Sequence, residues 1–298
     1  MTDKTQKLVG HLLAAITITV WGSTFISSKV LLTVLSPVQI MICRFVIAYA
    51  VLWLLHPKWD KTSIKDELGF AAMGVFSCTL YFMAENYALR FTLASNVSII
   101  VASAPIMTAV LAHFFTKSEK LNRNILFGFL VAFSGVAMVV LNGKFVLKLN
   151  PLGDMLSLLA ALSWAVYSVI LKKYVGRFNT IMLTRKLMFY GLLTSLPIML
   201  VQGGGLPFEA LKEPKMLLNL LFLGILGSGI CYVLWSKAVL RLGVVKTNNY
   251  IYVNPFVTLL TGAVFLSEPI TPMGIFGALL IISGVVICSK KPKALTAE

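Results

Sequence analysis

RFTLASNVSIIVASAPIMTAVLAHFFTKSEKLNRNILFGFLVAFSGV, residues 90–136, is followed much later by RLGVVKTNNYIYVNPFVTLLTGAVFLSEPITPMGIFGALLIISGV, residues 241–285. Laid side by side, Leu89-Arg90 falls on Leu240-Arg241, Pro105 on Pro255, Glu119 on Glu268, Gly128 on Gly277 and Ser134-Gly135-Val136 on Ser283-Gly284-Val285, with an offset that slips only from 151 to 149 residues. That offset is half the chain, so the sequence reads as one unit duplicated and fused, residues 1–148 and 149–298. Repeats at a fixed period decide a fold before any local motif does. Each copy holds two apolar runs long enough to cross a bilayer, from Ala94 to Phe115 with Ile125 to Leu141, and from Lys246 to Leu266 with Met273 to Cys288.

Composition sets the class. A chain that is 58% hydrophobic, 12% charged and has a mean hydropathy of +0.88 carries more apolar surface than one soluble core can hide, so we expect an all-α integral membrane protein. Helices are favoured over a barrel because the runs are continuous rather than alternating. About ten spans of ~20 residues suit a hydrocarbon layer of ~30 Å, at roughly 8–28, 38–55, 67–88, 94–115, 124–142, 152–172, 180–201, 216–239, 246–266 and 272–288. Ser36-Pro37 with Gln39, Asn150-Pro151 and Thr271-Pro272 mark helix starts by cap and first-turn proline. The first apolar run continues to about Ser28, which points to a retained helix rather than a cleaved signal. Cys43, Cys78, Cys231 and Cys288 are scattered through apolar runs without a CxxC. They read as buried free thiols, with no metal site and no cofactor.

A net charge of +15 raises the question of a nucleic-acid partner, but the basic residues are shared out among short loops. Membrane topology explains them better. One set of alternate loops, with both termini, carries 16 Lys and Arg and the other set carries 6, which places both termini in the cytoplasm of a multi-pass plasma (inner) membrane protein. Five spans per half then make the two repeats inverted in the membrane, a transporter design with its site near the midplane between them.

Trp21-Gly22-Ser23-Thr24-Phe25, Arg44-Phe45 and the repeated Leu-Arg turn, mid-helix proline, terminal Glu and Ser-Gly run together resemble the EamA-type transporters of the drug/metabolite transporter superfamily. The resemblance covers nearly the whole chain. It implies a ten-helix carrier working by alternating access and exporting amino acids, other small metabolites or drugs, with a small-molecule substrate and the lipid bilayer as partners. Coupling to a proton or a second solute stays open. The second half departs from the pattern in having Trp164-Ala165 where the first has Trp21-Gly22.

Helix nine opens on Lys246-Thr247-Asn248-Asn249-Tyr250-Ile251-Tyr252-Val253-Asn254-Pro255, too polar a run for lipid. At helical spacing Asn248, Tyr252 and Pro255 share a face, with Asn249 and Asn254 on flanking faces, and we expect Asn248, Asn249 and Tyr252 to bind substrate, with replacement of Asn248 or Tyr252 by Ala weakening binding while folding stays nearly intact. The matching helix-four face holds Ser98, Ala102 and Pro105. Trp21, Trp164 and Tyr81 supply apolar walls, against the plainer role of interface anchors. Pro105 and Pro255 each remove a mid-helix donor and bend the helix, as hinges or merely as packing. Among charges inside spans, Arg44 lies about 9 Å below the outer face by helical rise and is expected to pair with Glu85. Arg185 has an interior role, while Lys186 and Lys237 snorkel to headgroups. Glu119 and Glu268 are expected to favour the positive end of the helix that follows each.

Two rival functions are weaker. No HExxH or clustered Asp pair accompanies His11, His56 and His113, which argues against a membrane-embedded enzyme. A channel fits the duplication less well than a carrier with alternating gates.

Overall fold

Ser36 starts a helix because its hydroxyl accepts the Gln39 amide proton at 3.3 Å while the Gln39 side chain accepts the Ser36 amide proton at 2.8 Å, satisfying donors that the first turn leaves free. Asn150 caps the helix at Pro151 through the Gly153 amide, 3.1 Å, and Thr271 caps the one at Pro272 through the Gly274 amide, 3.2 Å. The computed structural model describes residues 3–58, 60–91, 97, 100–116, 119, 121–141, 150–202, 205, 209, 212–266 and 271–289. Among these residues there is no strand, only one isolated bridge between Val175 and Phe178.

The first half holds α1 (Asp3–Leu31), α2 (Pro37–Leu55), α3 (Ile64–Gly74), a π-helical segment (Val75–Leu80), α4 (Tyr81–Phe91), α5 (Ala104–Phe115) and α6 (Arg123–Leu141). The second holds α7 (Pro151–Tyr174), α8 (Thr180–Val201), α9 (Pro214–Leu221), a second π segment (Phe222–Ile230), α10 (Cys231–Leu242), α11 (Val244–Asn248), a 3-10 segment (Asn249–Val253), α12 (Asn254–Leu266) and α13 (Pro272–Ser289). Among the described residues five helical runs are long and apolar enough to cross a membrane: Asp3–Ser28, Pro37–Leu55, Ile64–Ala88, Pro151–Tyr174 and Pro214–Leu242. Ala104–Phe115, Arg123–Val139 and Pro272–Cys288 are shorter apolar helices. Large apolar side chains such as Leu55, Phe114, Phe127, Val201 and Leu279 remain exposed around the bundle, the surface a lipid-facing protein presents.

Contacts between the halves come in matched pairs. Helix α1 packs on α12 as α7 packs on α5; α1 packs on α10 as α7 packs on α4; α2 packs on the Phe222–Ile230 segment as α8 packs on Val75–Leu80; and α2 meets its own counterpart α8, as α6 meets α13. The last contact is the tightest. A Cβ added to Gly135 would lie 2.5 Å from the Gly277 carbonyl oxygen, and one on Gly277 would lie 2.7 Å from that of Gly135; Gly128 and Gly284 are related in the same reciprocal way. Backbone rides on backbone there, which small residues permit and membrane interfaces favour.

Pro105 and Pro255 stand at breaks, whereas Pro197 lies within the continuous helix α8. Pro105 is in the first turn of α5, just after a turn at Ala102-Ser103, and Pro255 is in the first turn of α12, just after the 3-10 segment. Proline lacks the amide proton that would extend the preceding helix, so each copy restarts at the same point. All four cysteines are free and buried.

Candidate functional site

Trp21, Thr24 and Ser28 follow one another at helical spacing along α1 and face a cavity of about 110 Å³. Its other walls are Arg44 from α2, Tyr81, Phe82 and Glu85 from α4, Trp164 from α7, Tyr232 from α10, and Val101, Ala104, Ile251 and Asn254 beside the two proline breaks. Both halves therefore line it, and several lining residues are repeat partners: Trp21 with Trp164, Val101 with Ile251, Ala104 with Asn254. The volume lies well below the ~300 Å³ at which drug-sized ligand pockets begin.

Aromatic rings fix one end of the cavity. Trp21 meets Trp164 edge to face at 5.4 Å and Tyr232 at 5.5 Å, and touches Trp235 at 5.1 Å; Tyr81 lies 5.6 Å from Trp164. The Trp21 ring is held by its Nε1–H, which donates to the Gly227 carbonyl at 2.8 Å. That carbonyl belongs to the Phe222–Ile230 π segment, where the wider turn interrupts the ordinary i to i−4 pattern.

Arg44 is only 6% exposed. Its Nε–H donates to Ser228 Oγ at 2.7 Å and its guanidinium lies 4.9 Å over the Phe82 ring. Glu85 Oε1 accepts the Tyr81 hydroxyl proton at 3.1 Å. The two charges thus share the cavity, yet the ion pair expected from their depths is not formed: Arg44 is drawn to Ser228 and Phe82, and Glu85 to Tyr81.

The expected helix-nine face is divided. Asn248 is fully buried and wholly engaged, its Oδ1 accepting from Trp164 Nε1–H (2.9 Å) and Ser168 Oγ (3.2 Å) and its Nδ2 donating to Val244 O (2.9 Å). Tyr252 turns the other way, against Phe129 and the cluster of Ala132, Val136 and Ile281. Asn249 is buried with its Nδ2 unpaired. None of the three lines the cavity. Asn248 and Tyr252 part company because of the pitch change between them: a 3-10 segment turns ~120° per residue against ~100° in an α-helix, so four steps rotate Tyr252 about 80° from where α spacing from Asn248 puts it. Ser98 lies outside the described residues, as does Glu268.

Arg185 is far from the cavity, at the end of the bundle where α1 begins. It is 4% exposed, donates to the carbonyls of His56 and Lys58 (the latter at 2.6 Å), and has Asp60 at 3.8 Å. Beside it Lys186, expected to snorkel, instead pairs with Glu67 at 2.6 Å, and Tyr190 donates to the other Glu67 oxygen at 2.6 Å. Arg177 pairs with Asp66 at 3.1 Å. Glu119 does not cap the helix that follows it. Its two oxygens accept the Val244 and Val245 amide protons at 2.7 and 2.6 Å, with Lys172 at 3.5 Å, so it caps the start of α11 across the repeat. Each of these contacts joins one half to the other. At the opposite end the described contacts between halves are neutral: Gln39 to the Gly205 carbonyl and Gln202 to Tyr87, both 2.8 Å.

Sequence reasoning missed Thr24, Ser28, Phe82 and Tyr232, while Asn254, on the edge of the polar helix-nine arc, does line the cavity. Thr24 and Ser28 follow from Trp21 by helical spacing; Tyr232 depends on the π segment before it and carries no such signal.

Comparison with known proteins agrees with this architecture. The model of the EamA-like transporter family matches the chain twice, over residues 8–141 and 151–290. An uncharacterized transporter of Archaeoglobus fulgidus is 28% identical, covering 94% of this chain and 97% of its own. A probable amino-acid metabolite efflux pump of Salmonella typhimurium is 27% identical and one of Escherichia coli 26%, each match covering 92% of this chain and 93% of the relative. A solved crystal structure with 17% sequence identity aligns with a TM-score of 0.78 over 96% of both chains, the same fold.

Proposed function

The chain belongs to the EamA-like transporter family, and from that premise we propose that it is a secondary transporter exporting an amino acid or related small amphipathic solute across the plasma membrane by alternating access. Ten spans form two inverted five-helix repeats, with both termini cytoplasmic. Support for the inversion comes from α6 and α13: Gly128 meets Gly284 while Gly135 meets Gly277, so equivalent residues pair reciprocally on antiparallel helices, as a two-fold axis lying in the membrane plane requires.

The observation that carries the proposal is a cavity lined from both halves, closed off from the terminal end by cross-repeat ion pairs and capped amides. A channel would need a path past those latches. With cytoplasmic termini this arrangement is the state closed to the cytoplasm, and return to the other state breaks the Arg185, Glu67 and Glu119 contacts while the helices pivot near Pro105 and Pro255. Asn248 then acts on substrate through Trp164, whose ring it orients, rather than by direct contact.

Reconstitution into proteoliposomes tests this. Uptake of radiolabelled leucine should saturate and should be accelerated by unlabelled leucine on the trans side, since counterflow is a property of a carrier with alternating gates. Flux linear in concentration and without trans-acceleration would refute it.

A further inference from the structure

We propose that the cavity is a dipolar site in which Arg44 takes a carboxylate and Glu85 takes an ammonium group, so that its ligand is a zwitterion of the α-amino-acid type rather than a singly charged anion or cation. This rests on the transporter function above and names the chemistry of its site. The first ground is the state of the two charges. Arg44 is 6% exposed in an apolar helix, and its contacts are a neutral hydroxyl and an aromatic face; a guanidinium has five donors, and a charge at this depth is expensive without an anion beside it. Glu85 is held by the Tyr81 hydroxyl alone, through one oxygen.

The second ground is that the fold does without these charges in its other half. A Cβ on Gly74 would press on the Leu187 carbonyl oxygen, and one on Gly224 on the Arg44 carbonyl oxygen at 3.2 Å, so Leu187 is the structural counterpart of Arg44. Tyr81 meets Trp164 at 5.6 Å as Tyr232 meets Trp21 at 5.5 Å, and Glu85 lies four residues beyond Tyr81 as Ser236 lies four beyond Tyr232, which makes Ser236 the counterpart of Glu85. Leucine and serine fill these positions in the second repeat, both buried. Packing of the repeat therefore does not demand an arginine or a glutamate there, and their presence on one side only points to a ligand.

The third ground is selection by charge. A lone anion drawn to Arg44 brings its charge near Glu85, and a lone cation drawn to Glu85 brings its charge near Arg44. A net-neutral dipole satisfies both poles, so discrimination comes from repulsion as well as attraction. The Trp21 and Trp164 rings then receive an apolar side group, and the small volume limits its size.

The experiment uses the purified full chain in nanodiscs and the shift in apparent melting temperature with ligand concentration. The probes are leucine, isoamylamine (leucine without its carboxylate) and N-acetylleucine (leucine without its ammonium). Wild type should bind leucine ten- to a hundredfold more tightly than either analogue, about the range that one charge-assisted hydrogen bond carries. Glu85→Gln should close the gap between leucine and N-acetylleucine, and Arg44→Gln the gap between leucine and isoamylamine. Arg44→Lys and Glu85→Asp, which keep charge and depth, should retain the order of preference with weaker affinity, and serve if a glutamine variant fails to fold. Equal binding of all three probes by wild type, or equal loss of all three in a folded glutamine variant, would overturn the dipolar site. So would a wild type that binds none of them yet shows saturable counterflow of another solute, and in that case the transporter function would stand; unsaturable leucine flux would instead count against the transporter function itself.

Discussion

Replacing Asn248 by alanine should destabilise the protein, contrary to what its place in a polar helix face implies. Its Oδ1 is the acceptor for the Trp164 indole N–H at 2.9 Å, and Trp164 is 6% exposed. A buried donor left without a partner costs about 1–3 kcal/mol. Ser168, the second donor at 3.2 Å, can turn to the carbonyl one turn back in its own helix, as Ser157 and Thr184 do at 2.8 Å, so its loss adds little. The missing amide atoms leave a small void beside Trp164. The sum is about 2–3 kcal/mol, which at ~2–3 °C per kcal/mol for a chain of this size is an apparent melting point lower by roughly 5–8 °C.

A double-mutant cycle isolates the cause. Trp164→Phe removes the indole donor, so Asn248→Ala should be milder in that background by about 1–2 kcal/mol. Thermal unfolding of the four proteins in one detergent, followed by tryptophan-independent dye fluorescence, measures it. An Asn248→Ala protein that melts within about 1 °C of wild type, or a strictly additive cycle, would refute the role of Asn248 as the anchor of the Trp164 ring.

Three further outcomes are expected. Gly135→Leu should prevent stable assembly of α6 on α13, because its Cβ alone would lie 2.5 Å from the Gly277 carbonyl oxygen, whereas Gly205→Ala, with nothing within 4 Å, should be neutral; size-exclusion profiles separate the two. Arg185→Lys should slow transport and lower the apparent melting point by roughly 3–6 °C, since a single ammonium on a flexible stem replaces a planar fork that serves two carbonyls; unchanged leucine counterflow and stability would remove it from the closure of the terminal end. A C-terminal alkaline-phosphatase fusion should be inactive and a C-terminal green-fluorescent fusion bright in a bacterial host, following the 16-to-6 charge split, and the reverse pattern would make this arrangement the state closed to the outside instead of to the cytoplasm.

What the sequence makes legible here is whatever rests on regular periodicity. The caps at Ser36, Asn150 and Thr271 obey local rules that need no tertiary information, and they appear as read. The Gly128 and Gly277 match was visible by alignment of the halves, and the structure gives its physical content as backbone contact. Trp21, Tyr81, Trp164, Arg44 and Glu85 were all singled out by being too large or too charged for their depth, and they surround one cavity. The same criterion failed on Lys186, because its partner Glu67 comes from α3 in the other half and meets it only through the packing of α3 on α8.

Asn248, Asn249 and Tyr252 show where periodicity stops. Their common face exists only if the helix keeps one pitch from Lys246 to Pro255, and the chain instead passes through 3-10 turns at Asn249–Val253 before restarting at Asn254. Proline explains why the restart occurs at 254, since Pro255 fits a first turn and cannot extend the turn before it. It does not tell how the preceding residues relax, because 3-10 and α geometries differ little in energy over five residues and packing against α1, α5 and α13 decides between them. Polar residues just before a membrane proline are therefore the ones whose direction a constant-pitch reading misplaces: Asn248, the last residue of α11, holds Trp164, while the turns after it carry Tyr252 to Phe129 and leave Asn254 facing the cavity.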